Sequence, residues 1–284
     1  MAGGFFALFD DIAALMDDVA VMTKVAGKKT AAVLGDDLAV NAQKASGFAS
    51  SRELPVIWEI TKGSFLNKLI ILPVVFLLDY LYPPLIEWLL ILGGIYLAFE
   101  GAEKVLEWIA HKKEERRPRI DMSPEEILRL ERKKIRSAIL TDLILSLEIV
   151  IIAINAVDVE DFAVKLISVS LIAFLATVGV YGLVALIVRL DDMGLWLMER
   201  GFEKLGSFLV WLMPKLIRAL SVIGTLAMLL VAGGIFMHNF EALHHYFHAL
   251  PALLAELVVG LGVGFAAVAV EKGAHYVWEK IKFS

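Results

Sequence analysis

The chain has 284 residues, 59% of them hydrophobic, with 27 basic and 32 acidic side chains for a formal net charge of −5, and its mean hydropathy is +0.74. The acidic balance argues against a nucleic-acid surface, and the absence of cysteine excludes disulfides, thiolate metal sites and cysteine catalysis. Soluble domains are nearer half apolar, whereas here charge sits in blocks between apolar runs of the roughly 20 residues that cross a bilayer, so an all-α, polytopic membrane protein is expected.

The first residues lack a basic n-region and a small-residue cleavage site, so no removable signal peptide is expected. Residues 5–22 are apolar except for Asp10, Asp11, Asp17 and Asp18. Each aspartate costs about 2.5–3.5 kcal/mol at a helix centre on insertion scales. Two readings stand: an amphipathic helix on the cytoplasmic face, or a span over 5–25 buried inside the bundle with its acids facing protein or water. The following segment, with Lys28-Lys29-Thr30 and Gly35-Asp36-Asp37, is too polar for a span and is expected in a cytoplasmic loop over 26–63, as a charge-pinned helix pair or part of a gate.

Apolar runs predict spans at 64–81 and 85–108, joined by a turn at Tyr82-Pro83-Pro84. A charged stretch, 109–136, follows, in which Ser123-Pro124-Glu125-Glu126 reads as an N-cap with proline at the first helical position. Spans are expected at 137–157 and 162–189 across a short acidic turn, then an amphipathic segment at 190–214 and a span at 215–237. A histidine-rich loop leads to the last span, 250–271, whose glycines at 260–264 offer a close packing face. The chain is thus one membrane domain of seven spans, or six if 5–25 is interfacial.

Lysine and arginine collect in cytoplasmic loops. Residues 24–68 hold seven, 104–136 eleven, 189–218 five and the tail three, leaving Lys165 as the exception among 27. The loops around 79–84, 156–161 and 238–250 hold none. This pattern places the C-terminus and the loops 26–63, 109–136 and 190–214 in the cytoplasm.

Two features recur. Asp11 and Asp17 are six residues apart in the first helix, as are Asp142 and Glu148 in the 137–157 span, and Gly93-Gly94 is echoed by Gly233-Gly234. They suggest a three-plus-three repeat, about 5–108 and 137–238, inverted because each unit has an odd number of helices. Inverted repeats are a common construction of secondary transporters; glycines and acids recurring by chance are the plainer explanation.

Glu148 lies near the middle of its span, with Thr141 and Asn155 on the same face, and an ionisable residue at that depth is a functional candidate. Asp142 is nearer the cytoplasmic end, with Ser146 one turn above it. If the first helix spans, Asp17 is also near mid-depth, with Asp11 nearby. These oxygens suit a hard divalent cation, Mn²⁺ the first guess, or protons; the alternative is that Glu148 only locks helix packing. Tyr96, Glu100, Glu103 and Glu107 follow a helical face, either an acidic exit lining or a solvated helix end, and Lys104 is placed to pair with Glu100. His238, Glu241, His244, His245 and His248 cluster in the outer loop, as ligands of a zinc-like ion or as interfacial histidines. No phosphate loop or nucleophile elbow is present, so an enzyme is not expected, and no cofactor beyond a bound divalent cation is implied.

Several stretches resemble the YedI-like family of bacterial inner-membrane proteins: 8–42 (LFDDIAALMDDVAVMTKVAGKKTAAVLGDDLAVNA), 52–55, 62–64, 93–104, 134–149, 182–192 and 220–235. The resemblance implies a bacterial inner-membrane location without lending an activity. Residues 142–148, DLILSLE, are similar to the aspartate-leucine…serine-x-aspartate signature of TerC-like transporters, among the lysine and cation exporters. That likeness implies Asp142, Ser146 and Glu148 as ligand or coupling residues, with glutamate standing for the second aspartate and Leu145 for phenylalanine. The function expected is secondary transport of a divalent cation, with the bilayer as partner and a homo-oligomer compatible with it; the rival is a structural or stress-related membrane protein whose buried acids hold packing.

Overall fold

Helix ends fall where the sequence supplies caps. The Ser123 hydroxyl accepts a hydrogen bond from the Glu126 amide (3.2 Å) while the Glu126 carboxylate accepts from the Ser123 amide (2.9 Å), with Pro124 next in the chain. Asp161 accepts from the amides of Ala163 and Val164. A tight turn is made by Gly201 at φ +89°, a conformation open chiefly to glycine.

The computed structural model describes residues 2–45, 48, 50–110, 123–157, 159–247 and 250–282, with side chains from 12 to 274 except those of 32, 50, 51, 124 and 244. Its helices are α1 (Ala2–Ala45), α2 (Ser50–Leu81), α3 (Pro84–Ile109), α4 (Pro124–Ala156), α5 (Phe162–Val188), α6 (Leu190–Glu199), α7 (Glu203–Asn239), α8 (Glu241–Phe247) and α9 (Ala252–Lys282). No strand occurs among the described residues. Six stretches are long and apolar enough to cross a membrane: Arg52–Leu81, Pro84–Ile109, Glu125–Ala156, Phe162–Val188, Glu203–Asn239 and Ala252–Ala274.

Apolar clusters fix the helix directions. At one end Ala26 of α1 packs with Val75, Ile86, Val157 and Val169. At the other, Ala42 and Ala45 pack with Val56, Ala138, Val184 and Met213; Arg52 and Arg189 lie at this second, basic end. Helices α1, α3 and α5 therefore run toward the basic end, and α2, α4 and α7 run away from it. Helix α1 packs on α4, α5 and α7, while α2 packs on α4 and α9 on α3 and α7.

Helix α1 departs most from expectation. Its segment 19–45 packs along the bundle between the two apolar clusters, where the sequence left 5–25 as either a span or an interfacial helix and expected a loop from 26. The buried residues Val19, Ala26, Thr30, Asp37, Asn41 and Ala45 recur at steps of seven and four, one face of a helix. That face is covered by protein, so the polar residues on it, Thr30, Asp37 and Asn41, need no match to lipid. Lys24, Lys28 and Lys29, expected in a loop at the basic end, flank Ala26 in the opposite half. Lys68, counted with the same loop, is 2% exposed in the core. Helix α4 begins at Pro124, as the Ser123 N-cap announced, and continues into the span expected from 137, and the amphipathic segment 190–214 is α6 with the first turns of α7.

The paired glycines sit at helix contacts. A Cβ on Gly93 would lie 2.7 Å from Ile144 Cγ2, one on Gly94 3.4 Å from Ile235, and one on Gly233 would overlap the Glu256 carbonyl oxygen. Small residues let these backbones approach.

Candidate functional site

Where α1, α2, α4 and α5 meet, each contributes polar side chains from one helical face. On α4, Asp142 and Ser146 are one turn apart; on α1, Asp37 and Asn41 are; on α2, Ser64, Asn67 and Lys68 share a turn. All are buried, together with Tyr181 of α5.

Asp142 is the centre. Its Oδ1 accepts from the Ser64 hydroxyl (2.9 Å) and lies 3.0 Å from the Tyr181 hydroxyl; its Oδ2 accepts from Asn67 Nδ2 (3.0 Å) and the Ser146 hydroxyl (3.4 Å). Lys68 Nζ donates to Ser146 Oγ (2.7 Å) and Ser64 Oγ (3.0 Å) and stands 3.8 Å from Asp142 Oδ1. Each serine accepts from the ammonium and donates to the carboxylate, which satisfies both. Asn41 Nδ2 donates to Asp37 Oδ1 (2.5 Å), and Asn41 Oδ1 is 2.9 Å from the Tyr181 hydroxyl. Tyr181 has one proton and two acceptors, Asn41 and Asp142, so it serves one at a time.

Glu148 lies six residues beyond Asp142 on α4, roughly 9 Å toward the end opposite the basic one. Its Oε2 is shielded from solvent and accepts no hydrogen bond, and the charges that act on it are the carboxylates of Asp36 and Asp37. Two buried acids, Asp37 and Asp142, thus share the ammonium of Lys68, with the half-buried Glu148 further along α4.

A second network lies toward the basic end. Lys44 pairs with Glu100, Ser137 donates to Glu100 Oε1 (3.0 Å) and Thr141 to Glu100 Oε2 (3.0 Å). Thr141 precedes Asp142, so the two networks are contiguous along α4. Lys104 pairs with Glu107 (2.8 Å) rather than with Glu100; Glu103 is exposed.

The structure therefore joins Thr141 to Glu100 and Ser146 to Asp142, with Glu148 beyond them on the same helix. It does not bring Asp17 to them: Asp17 is exposed and twenty residues before Asp37, roughly 30 Å along the helix. Asn155 is exposed near the end of α4. Asp11 lies on α1, its side chain outside those described. His238 ends α7, while Glu241 and His245 lie exposed on α8; the side chains of His244 and His248 fall outside the described residues. Among the described residues no three histidine, aspartate or glutamate side chains are grouped to hold a metal. Sequence reasoning passed over Asp37, Asn41, Ser64, Asn67, Lys68 and Tyr181. The signal available was a lysine four residues after a serine inside an apolar run, since intramembrane charges seek partners.

Helices of this length and apolarity around a buried charge network define an all-α, multi-pass membrane protein. Residues 3–277 match the family described as "Protein of unknown function (DUF808)", to which the chain belongs. No curated protein and no solved structure matches the chain.

Proposed function

We propose that the chain is a YedI-like secondary transporter of a bacterial inner membrane that moves a cation, Mn²⁺ being the first to test, through the carboxylates at the junction of α1, α2, α4 and α5. The observation that carries this reading is the charge excess: among the described residues Asp37 and Asp142 share the single Lys68 ammonium, and the shielded Oε2 of Glu148 has no hydrogen-bond partner. A buried carboxylate without compensation is expensive, and a passing cation is what would compensate it. The opposed directions of α1–α2–α3 and α4–α5–α7 support an inverted construction, whose sites sit where the halves meet. Glu100, Lys44 and Thr141 continue the polar track to the basic end, which we read as cytoplasmic. No covalent chemistry and no resident cofactor enter this reading.

The test is Mn²⁺ flux into liposomes carrying the purified chain, against Glu148→Gln. Flux above empty liposomes that the substitution removes supports transport; equal flux in both removes Glu148 from the mechanism. A second reading, a structural membrane protein, is favoured by the completeness of hydrogen bonding around Asp142, as a sealed network would have. Absence of flux for any divalent cation, with the protein inserted and folded, would put that reading ahead.

A further inference from the structure

Helix α7 leaves one side uncovered at the basic end of the bundle. Lys204, Phe208, Trp211, Lys215, Arg218 and Val222 follow one another at steps of four and three residues, which is one face of a helix, and all six are exposed. The opposite face is closed by α6. A Cβ on Gly206 would overlap the Gly194 carbonyl oxygen, and one on Gly194 would lie 2.8 Å from the Gly206 carbonyl oxygen. This close approach of two glycines seats α6 against α7 and leaves the six side chains pointing outward.

The charge on this face has one sign. After Glu203, α7 has no acidic residue up to its end at Asn239. Other cations at the basic end are paired: Lys44 with Glu100, Arg52 with Glu131 and Arg189 with Asp192. Among the described residues Lys204, Lys215 and Arg218 have no such partner. Lys215 has an indole instead, its Nζ standing 3.1 Å from the centroid of the Trp211 ring, and the Phe208 ring lies 5.9 Å from that of Trp211. A cation over an aromatic face is held in place while its N–H donors stay free. Helix α6 repeats the pairing, with Arg200 4.0 Å over Trp196.

We propose that Trp211, Lys215 and Arg218 bind the headgroup of an anionic phospholipid, the two cations taking its phosphate. What covers this face follows from its continuation. Beyond Arg218 the same side of α7 runs into the apolar span, where Val222 and Leu226 are exposed and acyl chains are what they meet. The headgroup layer of the same leaflet therefore lies at the end of that stripe, at the level where tryptophan and basic side chains concentrate. An anionic lipid is selected over a zwitterionic one because a choline or ethanolamine ammonium would find no carboxylate here, whereas a phosphodiester of charge −1 meets two unpaired cations. This binding does not depend on the transport reading.

The test uses the full chain purified in a neutral detergent. Its Tm is measured with increasing phosphatidylglycerol, and separately with phosphatidylcholine, at fixed ionic strength. A ligand bound to the folded state raises stability with concentration in a saturable way. Phosphatidylglycerol is expected to raise Tm by several degrees and phosphatidylcholine to leave it nearly unchanged. The double variant Lys215→Gln, Arg218→Gln should lose most of the rise while keeping its Tm without lipid, since both side chains are exposed. A control that removes two exposed cations elsewhere, Lys24→Gln with Lys28→Gln, should keep the rise. No response to phosphatidylglycerol overturns the proposal, as does an equal response to phosphatidylcholine or a rise that survives the double variant. An equal loss in the control would show an effect of net charge and overturn it as well. A rise of the same size with glycerol phosphate alone would assign the face to a free phosphate and remove the lipid.

Discussion

Lys68 Nζ stands 3.8 Å from Asp142 Oδ1, and the hydroxyls of Ser64 and Ser146 bridge the two groups. The pair is held less by direct contact than by two serines that each accept from one partner and donate to the other. Desolvation of both charges is offset only while every member is present, which sets the first expectation.

Lys68→Met leaves Asp142 buried without its cation and is expected to cost about 3–5 kcal/mol. Thermal unfolding in detergent reads this. The double variant Lys68→Met, Asp142→Asn should recover most of the loss, because it removes both charges at once; a double variant no more stable than the single one would deny the pairing.

Tyr181→Phe removes one hydroxyl from Asn41 and Asp142 and leaves the ring in place. The expected cost is about 1–3 kcal/mol, that of a buried acceptor losing its donor, and smaller than for Lys68→Met. An equal or greater loss would mean that Tyr181 does more than satisfy these oxygens.

Glu148→Gln should behave in the opposite way. Since Oε2 has no donor to lose, Tm should be unchanged or higher. A large fall would show that the carboxylate is structural, and would count against the transport reading built on it.

Gly93→Ala places a methyl carbon 2.7 Å from Ile144 Cγ2. Overpacking of this kind costs about 1–3 kcal/mol, and Ile144→Val in the same chain should relieve part of it. No relief would mean that α3 and α4 do not approach at this point.

How much of this was legible in the sequence differs by helix. The six apolar helices announce themselves through length and hydropathy, because lipid-facing side chains must be apolar. Helix α1 does not, since Asp37 and Asn41 are covered by other helices and a hydropathy scale measures transfer to lipid, not to protein. The same distinction hid Lys68: lysines were counted as markers of one side, and a lysine satisfied by Ser64 and Ser146 obeys a different rule. On α4 the spacing of Asp142, Ser146 and Glu148 was readable because that helix is apolar around them and the polar residues stand out. Their partners on α1 were not, because in a helix rich in charge two more aspartates carry no contrast.

Helix α1 also constrains how the protein is made. It is synthesised before α4, α5 and α7, the helices that cover it, and with aspartates costing about 2.5–3.5 kcal/mol each at a helix centre it has no means of entering lipid alone. Its final seat exists only once the later helices are in place. Assembly therefore runs against the order of translation, with the earliest segment waiting at the surface for the bundle that will admit it.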